Sequence, residues 1–115
     1  MATPHYSHPE LSMEAFQRGI HVMCEKPAGV YAKAVRRMNE AAKASGLVFG
    51  MMFMMRTNPV YRKMKEMVES GAVGDLRRSY WIITDWYRNQ AYYNSRGWRA
   101  TWKGEGGGVL LIQKY

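Results

Sequence analysis

The stretch His21-Val22-Met23-Cys24-Glu25-Lys26-Pro27 decides the fold of this chain. Its first part suits a buried strand, and it then runs into a carboxylate, an ammonium group and a proline. Because proline has no amide hydrogen for a sheet ladder and disfavours helix in the residue before it, the strand should end near Lys26. A lysine at the carboxyl end of a buried strand lies where open α/β sheets bind their ligands. An ordinary strand followed by a charged, solvated turn is the alternative interpretation.

The overall composition is that of a packed globular chain. At 115 residues there is room for one small domain or for parts of two. Apolar residues make up 47% of the chain and aromatic residues 13%, which argues against disorder. No apolar run approaches the ~20 residues that a membrane helix needs, and the N-terminus lacks a signal-peptide pattern. These features predict no membrane partner. Cys24 is the single cysteine, so the sequence predicts no internal disulfide and a cytoplasmic location.

The net charge of +8 comes from 17 basic and 9 acidic side chains. A basic balance can indicate nucleic acid or an anionic ligand. Here the basic residues are scattered along the whole chain instead of being clustered, and the four tryptophans form no recognisable RNA-binding motif. No zinc-ligand spacing is present either. We therefore expect neither a nucleic-acid partner nor a metal.

Signals on both sides of the first stretch predict a βαβ unit. Strands are expected from Ile20 to Glu25 and from Leu47 to Phe53, with a helix from Tyr31 to Ser45 between them. Strands that are apolar on both faces suit a parallel sheet covered by helices, and such a connection is right-handed in almost every known case. The predicted buried side of the helix comprises Ala34, Val35, Met38, Ala41 and Ala42.

Two further helices flank this unit. Ser7-His8-Pro9-Glu10 has the pattern of a capping box at the start of the first helix. Asn58-Pro59 predicts the start of a third helix, with asparagine as cap and proline at the first helical position. Its polar side carries Arg62 with Glu66 and Lys65 with Glu69, spaced as i,i+4 ion pairs. The predicted apolar stripes comprise Leu11, Ala15, Phe16 and Ile20 in the first helix, and Val60, Tyr61, Met64, Met67 and Val68 in the third.

The pattern changes after Gly74. The run from Leu76 to Tyr87 is β-prone and longer than the usual strand of about five or six residues, which is typical of a broad open sheet. We therefore place a domain boundary near residues 71–75. Residues 89–104 lack clear periodicity and are predicted to form an irregular loop. The triple glycine 106–108 would then lead into a further helix.

The order and spacing of several motifs are distinctive. The motifs are Thr3-Pro4-His5 with His8, Glu25-Lys26-Pro27, the segment 50–56 with Asn58-Pro59, Ser70-Gly71-Ala72-Val73-Gly74-Asp75, Gly97-Trp98-Arg99 and the segment 105–111. With these motifs in this order, the chain resembles the Gfo/Idh/MocA family of NAD(P)-dependent sugar and inositol oxidoreductases, and the resemblance covers nearly the whole chain. The Glu-Lys-Pro strand end and the triple glycine are its most specific parts.

This resemblance implies an α/β architecture with two parts. Residues 1–72 would be the C-terminal half of a dinucleotide-binding Rossmann domain built on a parallel βαβ unit. Residues 73–115 would begin an α+β open-sheet domain that binds substrate and oligomerises, starting with its first long strand. NAD or NADP would be the cofactor, a sugar, inositol or related polyol the substrate, and a homo-oligomer the assembly.

The resemblance also implies roles for individual residues. Lys26 would lie beside the nicotinamide and the substrate hydroxyl as the catalytic residue, and a desolvated lysine can act as an acid or base near neutrality. Glu25 would contact the cofactor ribose or orient Lys26. Pro27, the Thr3-Pro4-His5 turn, His8 and Arg56 would also lie along the dinucleotide. His5 replaces the common asparagine of that turn, and a simple helix-start role for His8 is equally open.

Trp98 and Arg99 match a Trp-Arg pair near the mouth of the active site in the family. An arginine there can hold a polyol or a carboxylate by paired hydrogen bonds, although a surface role is nearly as compatible with the residues alone.

Relatives place an acid and then a histidine after the triple glycine, whereas this chain has Ile112 at the acid position. No Gly-x-Gly-x-x-Gly follows a strand either, so the loop that holds the pyrophosphate is missing from the sequence. We therefore expect an oxidoreductase fragment that is inactive alone. A non-catalytic interaction or oligomerisation module on the same scaffold is the second hypothesis.

Overall fold

The computed structural model describes residues 1–84, 87–95, 97–99 and 101–107. Its helices and strands alternate through the first half of the chain, and short helices follow in the second half. In chain order the elements are a 3₁₀ helix His5–Ser7, α1 His8–Gln17, β1 Val22–Glu25, α2 Ala32–Ser45, β2 Phe49–Met52, a 3₁₀ helix Met54–Thr57, α3 Pro59–Glu69, α4 Gln90–Asn94 and α5 Trp102–Glu105.

The predicted βαβ unit is confirmed. β1 and β2 form a parallel two-stranded sheet, paired from Val22 with Phe49 through to Glu25 with Met52, and α2 makes the crossover. β1 ends at Glu25, as expected from the proline at position 27. This parallel sheet with its helices is a partial Rossmann-type α/β unit.

The core lies between the sheet and the two helices α1 and α2. The rings of Phe16 and Phe49 meet edge to face, with centroids 5.6 Å apart. The predicted apolar side of α2 is confirmed: Met38 and Ala42 are buried, whereas Arg36 and Lys43 on the other side are exposed. Among the described residues, the buried apolar residues of the core are Phe16, Val22, Cys24, Met38 and Ala42.

The buried side of α1 differs from the predicted one. His8, Ser12 and Phe16 face inward at helical spacing, whereas Leu11 and Ile20 are 38% and 53% exposed. The apolar pattern was misleading because two of the inward positions carry polar side chains. These polar groups are accommodated inside since they find hydrogen-bond partners there, as described below for His8.

The predicted capping box at the start of α1 is wrong. Ser7 precedes the helix, but its hydroxyl donates backward to the Pro4 carbonyl at 2.7 Å and lies 2.9 Å from the Thr3 hydroxyl oxygen. The cause is local, because Ser7 closes a 3₁₀ turn and already has helical backbone angles. An N-cap side chain instead requires an extended residue to reach the amides ahead of it.

The helix α3 has the predicted start but not the predicted burial. Asn58 caps it by accepting a hydrogen bond from the Val60 amide at 2.9 Å. None of its residues is buried: Val60 is 63% exposed and Met64 53%, because the described segments cover little of this side of the helix beyond the Trp81 ring, which stacks on Tyr61. Of the predicted ion pairs, Lys65 with Glu69 forms at 3.4 Å, whereas Glu66 pairs with Lys63 in place of Arg62.

Residues 76–84 carry no strand, in contrast to the prediction for Leu76 to Tyr87. A strand requires a neighbour for its ladder of hydrogen bonds, and no described residue pairs with this segment. Asp85 and Trp86 lie outside the described residues. The predicted irregular loop 89–104 instead contains α4 and the start of α5, each capped by a side chain, Asn89 at the Tyr92 amide and Thr101 at the Gly104 amide.

The helix predicted after the triple glycine 106–108 lies outside the described part of the chain. Within the described ranges, none of the helices is long and apolar enough to cross a membrane. The same residues contain no group of three or more His, Cys, Asp or Glu side chains placed to hold a metal ion.

Candidate functional site

The carboxyl end of β1 brings two backbone turns side by side. The Glu25 amide donates to the Met1 carbonyl at 2.9 Å, so the first residues of the chain run along the edge of β1. The turn at Thr3 therefore lies next to the turn at Lys26 and Pro27. The peptide bond between Lys26 and Pro27 is cis.

A cleft of about 220 Å³ opens between these two turns and the loop before α5. The structure thus gathers most of the residues that the sequence singled out, although they are spread over almost 100 positions of the chain. Trp98 and Arg99 come from the far side of the cleft and contribute its outer wall. The lining residues are Ala2, Thr3, Pro4, His5, His8, Glu25, Lys26, Trp98 and Arg99.

Lys26 is half-buried at the floor of this cleft. Burial lowers the pKa of its ammonium group below the ordinary value, and the nearby Arg88 acts in the same direction. The carboxylates of Glu25 and Glu105 oppose this shift, because they favour the charged form. A lysine with a lowered pKa gives up its proton more readily, which suits it to proton transfer.

His8 is buried, and both of its ring nitrogens lie within hydrogen-bond distance of backbone carbonyl oxygens. Its Nδ1 lies 2.7 Å from the Pro27 carbonyl oxygen, and its Nε2 lies 2.8 Å from the Thr3 carbonyl oxygen. The ring borders the cleft, but neither nitrogen is left for a ligand. Pro27 borders the site through the contact of its carbonyl oxygen with His8. His8 thereby connects the two turns.

His5 packs against the opposite wall of the cleft. Its ring meets the Trp98 ring edge to face at 5.5 Å, and its Nδ1 lies 3.4 Å from the Glu105 carbonyl oxygen. Burial lowers the pKa of His5, and the neighbouring His8 and Lys26 add to the effect, whereas Glu105 opposes it. A neutral imidazole is therefore favoured at this position.

Arg99 is held in place by aromatic rings. Its guanidinium lies 4.4 Å from the Tyr92 ring centroid and 4.9 Å from that of Trp98, and it donates to the Tyr92 hydroxyl. Cation–π contacts of this kind orient an arginine while leaving part of its donor fork free to bind hydroxyl or carboxylate oxygens. Arg88 lies over the same Tyr92 ring, at 4.3 Å.

Glu105 is a site residue that sequence reasoning did not single out. It is only 4% exposed, and it interacts electrostatically with both Lys26 and His5. It is carried inward because the end of α5 approaches the loop after Pro27 so closely that a Cβ on Gly106 would collide with Val30. The available signal was its place directly before the triple glycine.

Arg56, predicted to contact the cofactor, does not reach this cleft. The 3₁₀ helix that follows β2 turns the chain, and the Arg56 guanidinium packs over the Phe53 ring at 5.1 Å. It borders a separate groove of about 610 Å³, in which the rings of Tyr61 and Trp81 stack at 5.4 Å. This groove lacks the buried titratable groups that mark the cleft.

The cleft suits part of a dinucleotide. Its 220 Å³ is below the roughly 300–1,000 Å³ of typical small-molecule pockets, so it is too small for a whole dinucleotide. Glu25, Thr3 and Lys26 supply a carboxylate, a hydroxyl and an ammonium group at the carboxyl end of a parallel strand. Such groups match the hydroxyls of a ribose and of a polyol.

Fold and site together define a class of α/β nucleotide-binding proteins, and comparison with known families agrees. Residues 1–53 match the profile of an oxidoreductase family with an NAD-binding Rossmann fold, and residues 61–113 match the profile of the GFO/IDH/MocA C-terminal domain. The chain belongs to the GFO/IDH/MocA family of oxidoreductases.

Individual relatives include sugar and inositol enzymes. The chain is 39% identical over 75 residues to inositol 2-dehydrogenase 4 of Saccharopolyspora erythraea, covering 64% of this chain and 22% of that protein. It is 29% identical over 113 residues to 1,5-anhydro-D-fructose reductase of Ensifer adhaerens, covering 96% of this chain and 32% of the relative.

A solved structure extends this likeness to three dimensions. The WlbA dehydrogenase of Bordetella pertussis, in complex with NADH and UDP-GlcNAcA, superposes with a TM-score of 0.81 at 30% identity, over 98% of this chain and 32% of that one. The chain thus spans between 20% and 32% of the length of the curated relatives it matches.

Proposed function

We propose that this chain contributes the nicotinamide end and the substrate wall of an NAD(P)-dependent dehydrogenase acting on a sugar, inositol or related polyol. One observation carries the proposal: Lys26, at the carboxyl end of β1, shares a cleft with Trp98 and Arg99. These residues are more than 70 positions apart in sequence. The inositol and anhydrofructose relatives and the NADH-bound structure support the same chemistry.

Each side chain of the cleft has a defined place in this proposal. Lys26 holds the substrate hydroxyl and exchanges its proton, and Glu25 accepts from a ribose hydroxyl or orients Lys26. Arg99 and Trp98 hold the far side of the polyol. The bound dinucleotide supplies the hydride chemistry, while the protein supplies orientation.

The remaining cofactor contacts come from the turn on the other side of Lys26. Thr3, Pro4 and His5 line the cleft there, and Pro27 borders it through His8. Arg56 has no part in the proposed site. The 115 residues contain no Gly-x-Gly-x-x-Gly to hold a pyrophosphate, so we propose that the chain binds the cofactor weakly and turns over no substrate alone.

A non-catalytic interaction module is the second candidate function. It is favoured by the exposed apolar side of α3 and by the exposed segment 80–83, in which Ile82 is 81% exposed. Exposed surfaces of this kind mark sites of association, here between copies of the chain. We propose a cytoplasmic homo-oligomer divided into parts 1–72 and 73–115, without nucleic acid or membrane as partner.

Titration of NADH and of NADPH with the purified chain tests the first proposal, with the dinucleotide fluorescence as readout. We expect weak saturable binding that Lys26→Ala reduces at least tenfold. Lys33→Ala, which removes an exposed lysine of α2, is the matched control and should bind as the original chain does. Equal binding by all three proteins would contradict the proposed site.

Turnover is the second readout for the same proteins. Inositol and common aldoses, each with NAD or NADP, should give no product above the Lys26→Ala background. Measurable turnover by the original chain would show that the pyrophosphate loop is dispensable. It would thereby contradict the expected inactivity, while leaving the location of the site intact.

A further inference from the structure

His8 is a buried histidine whose two ring nitrogens both face carbonyl oxygens. The distances are 2.7 Å from Nδ1 to the Pro27 oxygen and 2.8 Å from Nε2 to the Thr3 oxygen. A carbonyl oxygen only accepts hydrogen bonds, whereas a neutral imidazole carries a single N–H donor. A neutral ring would therefore turn one nitrogen lone pair toward an oxygen lone pair inside the protein.

We propose that His8 is a doubly protonated imidazolium that clasps the two turns of the cleft and thereby positions Lys26. The proposal rests on the function assigned to Lys26 above. Pro27 directly follows Lys26, so holding the Pro27 carbonyl fixes the direction in which the lysine leaves β1. His8 acts only through the backbone, which makes it a positioning residue.

The lengths of the two hydrogen bonds favour the cationic ring. Hydrogen bonds from a charged nitrogen to oxygen are shorter than neutral ones, at roughly 2.7–2.9 Å, and both distances fall in this range. The start of α1 acts against a cation, because the helix dipole is positive there. The charged and titratable groups around the cleft are His5, whose ring lies 6.1 Å from that of His8, together with Glu25, Lys26, Arg99 and Glu105.

A second histidine of the chain provides an internal reference. The Nδ1 of His21 accepts a hydrogen bond from the Val48 amide at 3.0 Å, so this nitrogen carries no proton. The same protein thus holds one histidine with two donors and one with a defined acceptor, which can be compared in a single spectrum.

Ring ¹⁵N NMR of the uniformly labelled full chain at neutral pH tests the charge of His8. His5→Gln and His21→Gln identify two of the three rings, so His8 is assigned by elimination without being changed. We expect both nitrogens of His8 to show the shift of protonated nitrogen, whereas Nδ1 of His21 shows that of an unprotonated one. An unprotonated nitrogen in His8 would overturn the proposal.

A second measurement tests whether His8 positions Lys26. The pH titration of the Lys26 ε-carbon, followed by ¹³C NMR, should move upward toward that of exposed Lys33 in His8→Gln, because the loosened turn admits water. His21→Gln should leave it unchanged, and the methyl shift of buried Met38 reports whether each variant keeps its fold. An unmoved Lys26 titration in folded His8→Gln would overturn the positioning role.

Should His8→Gln lose the native Met38 signal, the unmodified chain supplies the comparison. The Lys26 ε-carbon should then show a step at the pH where the His8 ring loses its second proton, and absence of this step would overturn the positioning role. Neither measurement uses a nucleotide. A failure of the chain to bind NADH would therefore count against the proposed function and not against this one.

Discussion

At the scale of single residues, the cleft depends on titratable groups that the fold removes partly from water. His5 and Lys26 both have lowered pKa values, and in each case burial is the largest cause. The backbone places them there, because β1 ends at Glu25 and the Thr3 turn runs beside it. Such clusters of shifted groups are more common at functional sites than elsewhere.

The lowered pKa of His5 predicts loss of stability in acid. Between its pKa in the folded chain and the ordinary value of 6.5, the unfolded chain binds more protons, so stability rises with pH through this window. Acidification below about pH 6.5 should therefore destabilise the fold. Thermal melting as a function of pH measures the effect, and His5→Gln should flatten the slope. A variant with the slope of the original chain would contradict the shift.

Glu105 offers a second test at this scale. Its carboxylate raises the pKa of Lys26, so Glu105→Gln should lower the Lys26 pKa further. Titration of the Lys26 ε-carbon by ¹³C NMR measures the change. Glu40→Gln, at an exposed position of α2, serves as the control and should have no effect. A Lys26 titration that stays in place or moves upward in Glu105→Gln would exclude the proposed neighbourhood.

At the scale of elements, α2 and α3 contrast sharply. Both have amphipathic sequences, but only α2 packs against the sheet, with Met38 fully buried. The apolar side of α3 remains exposed among the described residues. Helical stability in proteins comes mainly from packing of an apolar face, so α3 should be the weaker of the two helices.

Matched methionine substitutions test this contrast. Met38→Ala should cost about 2–5 kcal/mol of unfolding free energy, the usual range for emptying a core position. Met64→Ala, on the exposed side of α3, should change it by less than about 0.5 kcal/mol. Urea denaturation at a protein concentration low enough to keep the chain monomeric measures both. Similar losses from the two substitutions would mean that the side of α3 bearing Met64 is covered within the monomer.

The sequence predicted the elements whose pattern and ends are determined by residues within the element or next to it. β1, α2 and β2 follow from an apolar pattern bounded by proline and glycine, and α3 starts at its Asn58 cap as expected. The buried side of α1 could not be read, because His8 and Ser12 interrupt its apolar pattern. The strand expected in residues 76–84 failed for another reason, since a strand also depends on a neighbour that local sequence does not encode.

The candidate site was only partly predictable, because some of its residues are brought together by contacts between segments distant in sequence. The family resemblance proposed Lys26, the Thr3 turn, Trp98 and Arg99 as site residues, and the structure brings them into one cleft. Arg56, predicted to lie along the dinucleotide, packs over the Phe53 ring beside the second groove, because the turn after β2 directs it there. Glu105 was missed, since its burial results from the packing of α5 on the Val30 loop, a contact between segments distant in sequence.

At the scale of the whole molecule, exposed apolar surface predicts self-association. Each large apolar side chain kept from water contributes about 1.5–3 kcal/mol, and α3 with residues 80–83 exposes several. Sedimentation at micromolar concentration should therefore detect a dimer or larger species. Met64→Glu should shift the distribution toward monomer, whereas Lys33→Glu should not. A monomer that melts sharply and cooperatively would refute the association.

The location of the nucleotide site is tested most directly by a residue-resolved map of NADH binding. Amide shifts of the ¹⁵N-labelled chain, recorded while NADH is added to millimolar concentration, separate the cleft from the groove beside α3. We expect changes at Thr3, Glu25, Lys26 and Trp98, with Tyr61 and Trp81 unaffected and no such changes in Lys26→Ala. Changes centred on Tyr61 and Trp81, or no saturable change at the end of β1, would contradict it.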